Sequence, residues 1–475
     1  MKQIKFFAMA LAALTMFSCA KENVETATDP ATPGQPVYAQ FSIALPTATR
    51  GIATDDSGTK AENTISDLKV YLIGSNRLVE TVLNATSVAG PGNTYQTEIK
   101  EITTGAKQVI AVVNAGATRT SAIFKVGDNL SKIEGALIAS VADAADAKNV
   151  LFSSRLVTVN IENKQGLNGV DNTATTKTAP FKFEVSVDRT VSKVIVRDDI
   201  SVNANVGGVG VGGVGVYAAS SAQFAINGML TNAGLYQCGS ETVPANHANA
   251  VHNWWKDGTD AISTPAQSPL ALKTAAISAY GVLAAPYDNA ASDMATINGD
   301  GTNGGRYTLE NVVSASGTYA VSTIIYAQLK LVPKAKFTTD AGIEGASIAK
   351  DDTYYAVKHT SKNEYMFFAT KEDFDKWKKG AGLTNTDYVT GTLYTQGINY
   401  YRVNILNESG NVPALKYSLL RNKIYDVTLK EVKNFGKGTD VDLVLPTDPI
   451  ETSAWIEASV KVKAWAVDRQ ESNLE

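Results

Sequence analysis

Residues 37–51, VYAQFSIALPTATRG, decide how this chain is read. Val37, Ala39, Phe41, Ile43 and Leu45 take every second position, while Tyr38, Gln40, Ser42 and Ala44 point the other way. This is the period-2 pattern of a half-buried strand. Pro46 ends the run, and a short polar loop then carries Arg50, the only arginine before Gly51. A strand that one cut can sever from its own fold implies a protein activated by losing a piece of sheet.

At 475 residues the chain exceeds what one ordinary core holds, so two domains or more are expected. Turn clusters recur every eight to fifteen residues or so, and long amphipathic helical runs are scarce, which makes the class mainly β. A net charge of −4 with interspersed signs gives no electrostatic footprint for nucleic acid. After the first twenty residues or so no run is long enough to span a bilayer.

The N-terminus reads as an export signal. Lys2 and Lys5 precede an apolar run at 6–17, and Ser18 and Cys19 follow at once. A small residue directly before a cysteine resembles a bacterial lipobox, with Cys19 as the lipidated residue; the alternative is an ordinary signal peptide with an incidental cysteine. Membrane attachment would then rest on acyl chains, at about 0.8 kcal/mol per buried CH₂. Cys238 is the other of the two cysteines, so an intramolecular disulfide is not expected and sheet packing must hold the exported chain together.

Residues 21–36, with Pro30, Pro33 and Pro36, read as a tether. Strands are expected at 37–45, 68–73 (LKVYLI), 95–102 and 108–114 (QVIAVVN), the last apolar enough to be covered on both faces. The alanine-rich stretch 131–147 has room for one or two helices. Residues 181–197 open a second run of alternating strands, with a domain boundary just before them. The glycine–valine stretch 206–216 lacks the Lys-Ser/Thr of a phosphate loop and reads as a hairpin or flexible loop. KEDFDKWKK at 371–379 is a surface helix with Phe374 and Trp377 facing inward. Near the C-terminus, ASVKVKAWAV at 458–467 sets Val460, Val462, Ala464 and Ala466 on one face. Lys461, Lys463, Trp465 and Val467 lie on the other. Its length and alternation match those of 37–45.

Candidate chemistry is sparse. His247, His252 and His359 are the only histidines, and none has ligand spacing with a partner nearby. Asp55-Asp56 and the Asp440/Asp442 pair lack the rest of a calcium loop. No nucleophile elbow or activated-cysteine pattern is present. The expectation is no enzyme, no metal and no cofactor. Trp254-Trp255 reads either as a cover over a core edge or as a sugar-stacking platform.

The order of features resembles the Bacteroidales major fimbrillins, the FimA/Mfa-type pilins of protease-activated (type V) pili. The resemblance runs through FSCAKEN, the strand before TATRG, LKVYLI, KQVIAVVNAG, VSVDRTVSKVIV and ANHANA with a following tryptophan. It continues through NYYRVNI, RNKIYDVTLKEVKNFGKGT and ETSAWIEASVKVKAWAV. It implies two tandem β-sandwich domains (transthyretin-like, Greek-key) with short helical inserts. Residues 1–18 are then the signal, 19–50 a lipidated propeptide with the removable strand, and 51–178 and 179–475 the two domains. It also implies outer-membrane export and a cut by an arginine-specific surface protease between Arg50 and Gly51. Loss of Val37, Ala39, Phe41, Ile43 and Leu45 would open a groove for a donor strand, by resemblance Val460, Val462, Ala464, Trp465, Ala466 and Val467 of the next copy. Such a contact is head to tail and yields a filament. The implied function is a stalk pilin of an adhesive cell-surface fimbria, partnered by its own copies, other fimbrial subunits, the protease and a host or bacterial receptor. The alternatives are a tip or accessory fimbrillin and a monomeric glycan-binding lipoprotein.

Overall fold

The computed structural model describes residues 34–45, 60–86 and 95–198 apart from a few positions between 117 and 148. It also describes 214–216, 223–227, 233–235, 288–289, 306–311, 323–380 apart from 363, 387–406, 417–438 and 456–464. Among these residues the protein is mainly β.

The first sheet holds β1 (Pro36–Ala44), β2 (Leu68–Ile73), β3 (Val79–Thr86), β4 (Tyr95–Thr97), β5 (Lys100–Thr103) and β6 (Gly105–Val113). It continues with β7 (Phe152–Ser154), β8 (Val157–Ile161), β9 (Gly166–Leu167) and β10 (Phe181–Arg189). Its path closes on itself: β1 pairs with β10 on one edge and with β4 and β5 on the other, so seven strands form a barrel-like ring. Closure removes a free edge, and β1 is the strand that completes it. Val109 to Val113 in β6 are buried throughout, as their unbroken apolar run predicts.

The stretch 95–102, expected as one strand, is split at Glu98 and Ile99 into β4 and β5. In the alanine-rich region, two short helices form at Leu130–Glu134 and Val141–Ala144. A four-residue helix, α1 (Lys60–Asn63), precedes β2.

The chain changes sheet at Thr190. β11 (Val191–Asp198) pairs with β13 (Arg306–Leu309) and runs parallel to β15 (Lys423–Val432), which carries the C-terminal strand β16 (Ile456–Ala464) on its outer edge. β12 (Gln223–Asn227) and β14 (Ile324–Pro333) belong to another sheet, joined by the strand Ile398–Asn404. β11 is apolar on both faces for a reason: Val191 and Ile195 enter the first core, Val194 and Val196 the second. The second core also draws Ile325, Leu329, Tyr354, Tyr401 and Val427.

The expected surface helix is α2 (Lys371–Gly380). Thr370 Oγ1 accepts from Asp373 N at 3.1 Å and bonds the Asp373 carboxylate at 2.9 Å, a capping arrangement that fixes its start. Phe374 is buried, and Trp377 stacks on Phe374 and meets Phe368 at a tilt. Within 206–216 only Val214–Val216 is described, as a short strand against the end of β14. No helix is long and apolar enough to cross a membrane among the described residues.

Candidate functional site

β1 is built as its alternation predicts. Val37, Ala39, Phe41 and Ile43 are fully buried in the first core, Leu45 is partly buried against it, and Tyr38, Gln40, Ser42 and Ala44 are half-exposed. On one edge Ala39 to Ala44 pair in parallel with Phe181 to Ser186. On the other, Pro36 to Ala39 pair antiparallel with Thr103 to Lys100, and Ser42 and Ile43 with Gln96 and Tyr95. The break between β4 and β5 leaves Phe41 N facing no backbone carbonyl there. The buried Thr97 hydroxyl accepts from it at 3.0 Å and donates to Glu98 O. At the start of the strand, Gln35 N donates to Thr104 Oγ1 and Tyr38 N to Thr175 Oγ1. The rings of Phe41 and Phe183 meet at 6.1 Å. Burial pushes the neighbouring Tyr95 phenol up. Each large inward side chain contributes about 1.5–3 kcal/mol of transfer free energy. Removing β1 would uncover this apolar strip together with two rows of backbone donors and acceptors.

α1 lies on the other side of the segment that carries Arg50, and it is bolted down. The Glu62 carboxylate takes the Lys193 ammonium at 2.8 Å and the Tyr307 hydroxyl at 2.5 Å, with Glu62 and Lys193 each only 1% exposed. Arg189, fully buried, donates to Glu62 O, to Asn63 Oδ1 and to Asn422 Oδ1. Burial first, and then the Glu62 charge, raise the Tyr307 pKa, so the phenol keeps its proton and donates a hydrogen bond to the carboxylate. The cluster joins α1 to the end of β10, to β11 and to β13. Asn422 holds a positive φ of 57°, a conformation asparagine tolerates, and its Nδ2 donates to Asp188.

The C-terminal strand β16 pairs antiparallel with β15: Ala458 with Leu429, Val460 with Val427, Val462 with Tyr425 and Ala464 with Lys423. Ala458, Val460 and Val462 are half-buried against the second core and Lys461 is exposed. Trp465, Ala466 and Val467 lie outside the described residues, as do Cys19, Arg50, Gly51, Cys238, His247, His252, Trp254, Trp255, Asp55, Asp56, Asp440 and Asp442. His359 is buried; its Nδ1 accepts from Ser361 N and Lys362 N, and Tyr388 meets its ring edge-on. Among the described residues no group of three His, Cys, Asp or Glu is arranged to hold a metal.

No local pattern in the sequence marks the anchor, beyond the faint signal of polar residues interrupting apolar strands, Arg189 and Lys193 within VDRTVSK. A second buried pair was equally silent: Arg421 reaches Glu310 at 2.9 Å and the carbonyls of Gly234 and Leu235.

Two family descriptions match the chain: "Major fimbrial subunit protein (FimA)" over residues 39–203, and "Major fimbrial subunit protein type IV, Fimbrillin, C-terminal" over residues 392–471. Together they take in a little over half of the chain, β1 from Ala39 onward and β16 included. The chain belongs to the fimbrillin family. This fimbrillin is a structural fimbrial subunit, not an enzyme. Its family assembles into cell-surface fimbriae with further copies and other fimbrial subunits. No curated protein matches the chain. Among solved structures, a fimbrilin from Porphyromonas gingivalis W83 is 14% identical at a TM-score of 0.46, over 91% of this chain and 98% of that one. The tip fimbrial protein Mfa3 from Porphyromonas gingivalis, with a C-terminal truncation, is 12% identical at a TM-score of 0.38, over 91% and 100%.

Proposed function

We propose that this fimbrillin is a stalk pilin, exported as a lipoprotein on Cys19, cut between Arg50 and Gly51, and polymerised by donor-strand exchange. The observation that carries this reading is β1. It closes the first ring by hydrogen bonds on both edges, yet its only covalent link onward is the segment that holds Arg50. While β1 stays in place the groove is full and the precursor is a monomer. Once it leaves, a strand from the next copy restores the ladder and refills the strip. The alternating C-terminal strand, already a sheet edge, supplies the donor. Two β-sandwich domains are the corresponding arrangement, and adhesion to a host or bacterial receptor is a property of the assembled fibre.

An arginine-specific protease added to the full-length precursor is expected to give SDS-resistant ladders that begin at Gly51. Arg50→Ala should remain monomeric. Deleting 469–475 should leave the ladder intact and deleting 458–475 should abolish it. Monomers from the cut wild-type chain, or equal ladders from both deletions, refute the proposal.

The anchoring part has its own check. Metabolic labelling with a fatty-acid analogue is expected to mark the wild-type precursor and not Cys19→Ala. Equal labelling of the two would remove the lipoprotein assignment.

A further inference from the structure

We infer that the C-terminal strand of a second copy enters the β1 groove with the same polarity as β1, Ala458 taking the place of Ala39. This rests on the strand-exchange reading above and adds register and direction to it.

The groove has a size code. From its N-terminal end the inward positions hold Val37, Ala39, Phe41, Ile43 and Leu45. The second position is the narrow one, since Ala39 is fully buried and pairs with the bulky Phe181. A well-packed site resists added volume and tolerates a modest deficit better. Read in the same direction, the donor offers Ile456, Ala458, Val460, Val462 and Ala464. Only this same-direction register puts a small residue at Ala39 while keeping branched apolar residues at Val37, Phe41 and Ile43. Shifting it by two in either direction puts Ile456 or Val460 into the narrow position. The opposite donor face is excluded by its charges, because Lys461 and Lys463 would point into an apolar strip.

The outward face agrees. In this register Lys461 stands where Ser42 stands, directly across from the exposed Glu184, and Ser459 falls across from Lys182. The one like-charge pair is Glu457 with Glu101, at an exposed end of the groove. The reversed strand, with Val460 kept at Phe41, is worse on both counts: Val462 enters the Ala39 position and Lys461 meets Lys182. The inferred register underfills three positions and adds a methylene at one: Val460 replaces Phe41, Val462 replaces Ile43 and Ala464 replaces Leu45, while Ile456 replaces Val37.

The test uses the full-length precursor with Cys238→Ser, cut after Arg50, which also removes Cys19. Lys463→Cys combined with Ser186→Cys should form an intersubunit disulfide. Lys463→Cys with Glu101→Cys should not, because those positions lie at opposite ends of the strand. In parallel, Ala458→Ile should lower polymer yield at least tenfold, whereas Val460→Phe should slow heat dissociation of the polymer in SDS. Melting of the uncut variants checks that the monomer tolerates them at these half-buried positions. Polymer that crosslinks through Glu101→Cys, or that forms normally with Ala458→Ile, overturns the register and leaves strand exchange standing. Cut wild-type protein that forms no polymer overturns both.

Discussion

Glu62→Ala in the full-length precursor is expected to lower stability by about 3–5 kcal/mol, read as a shift in denaturant midpoint at unchanged slope. The substitution leaves the Lys193 ammonium, 1% exposed, without its carboxylate, and takes from the Tyr307 hydroxyl the acceptor it reaches at 2.5 Å. Removing one member of a buried pair costs more than the pair contributes net, because the remaining charge stays desolvated. The double variant Glu62→Leu with Lys193→Met should therefore recover most of the loss. A shift under about 0.5 kcal/mol for Glu62→Ala, the size of an ordinary surface substitution, would remove the anchor from the account. Its functional side is read by hydrogen exchange. Wild-type α1 and β2 should stay protected after cleavage at Arg50, and the same amides should open in cut Glu62→Ala. On the proposed cut at Arg50, the anchor would mark where the removable part of the chain ends and the permanent part begins.

Phe41→Ala is expected to destabilise the uncut precursor by about 3–5 kcal/mol, the range for truncating a buried phenylalanine. Phe41 is fully buried and packs on Phe183, and its amide is held by the Thr97 hydroxyl. The cut protein supplies the contrast. Once residues up to 50 have left, the same substitution should be silent in both polymer yield and polymer stability. Polymers weakened by Phe41→Ala would mean that β1 stays bound in the fibre, which contradicts strand exchange. Thermal melting of the uncut pair and SDS dissociation of the cut pair measure the two halves of this expectation.

Much of the site was legible one residue at a time. The alternation of β1 needs no tertiary information, since a strand with one buried face has a period of two whatever it packs against. The same holds for β16 and for the Phe374 and Trp377 face of α2. What failed was of two kinds. The segment 95–102 read as one strand, yet it breaks at Glu98 and Ile99, and the hydroxyl of Thr97 repairs the missing bond to Phe41. Nothing in the composition of YQTEIKEI marks that break. The anchor failed for distance: Glu62 meets Lys193 across 131 residues and Tyr307 across 245. A lone glutamate in KAEN carries no sign of partners so remote.

The sequence by itself determined that residues 37–45 form a strand with one buried face, that a strand of like alternation stands near the C-terminus, and that Arg50 lies just beyond the first. These are local facts, set by periodicity and by where proline and arginine fall. Only the tertiary structure decided that β1 runs parallel to β10 and closes a ring. The same is true of the narrow position at Ala39, and of the buried charges that bolt the chain down directly after the segment that holds Arg50. Each of these depends on which strands become neighbours. That choice is made by shared cores and remote charge pairs, which leave no periodic trace along the chain.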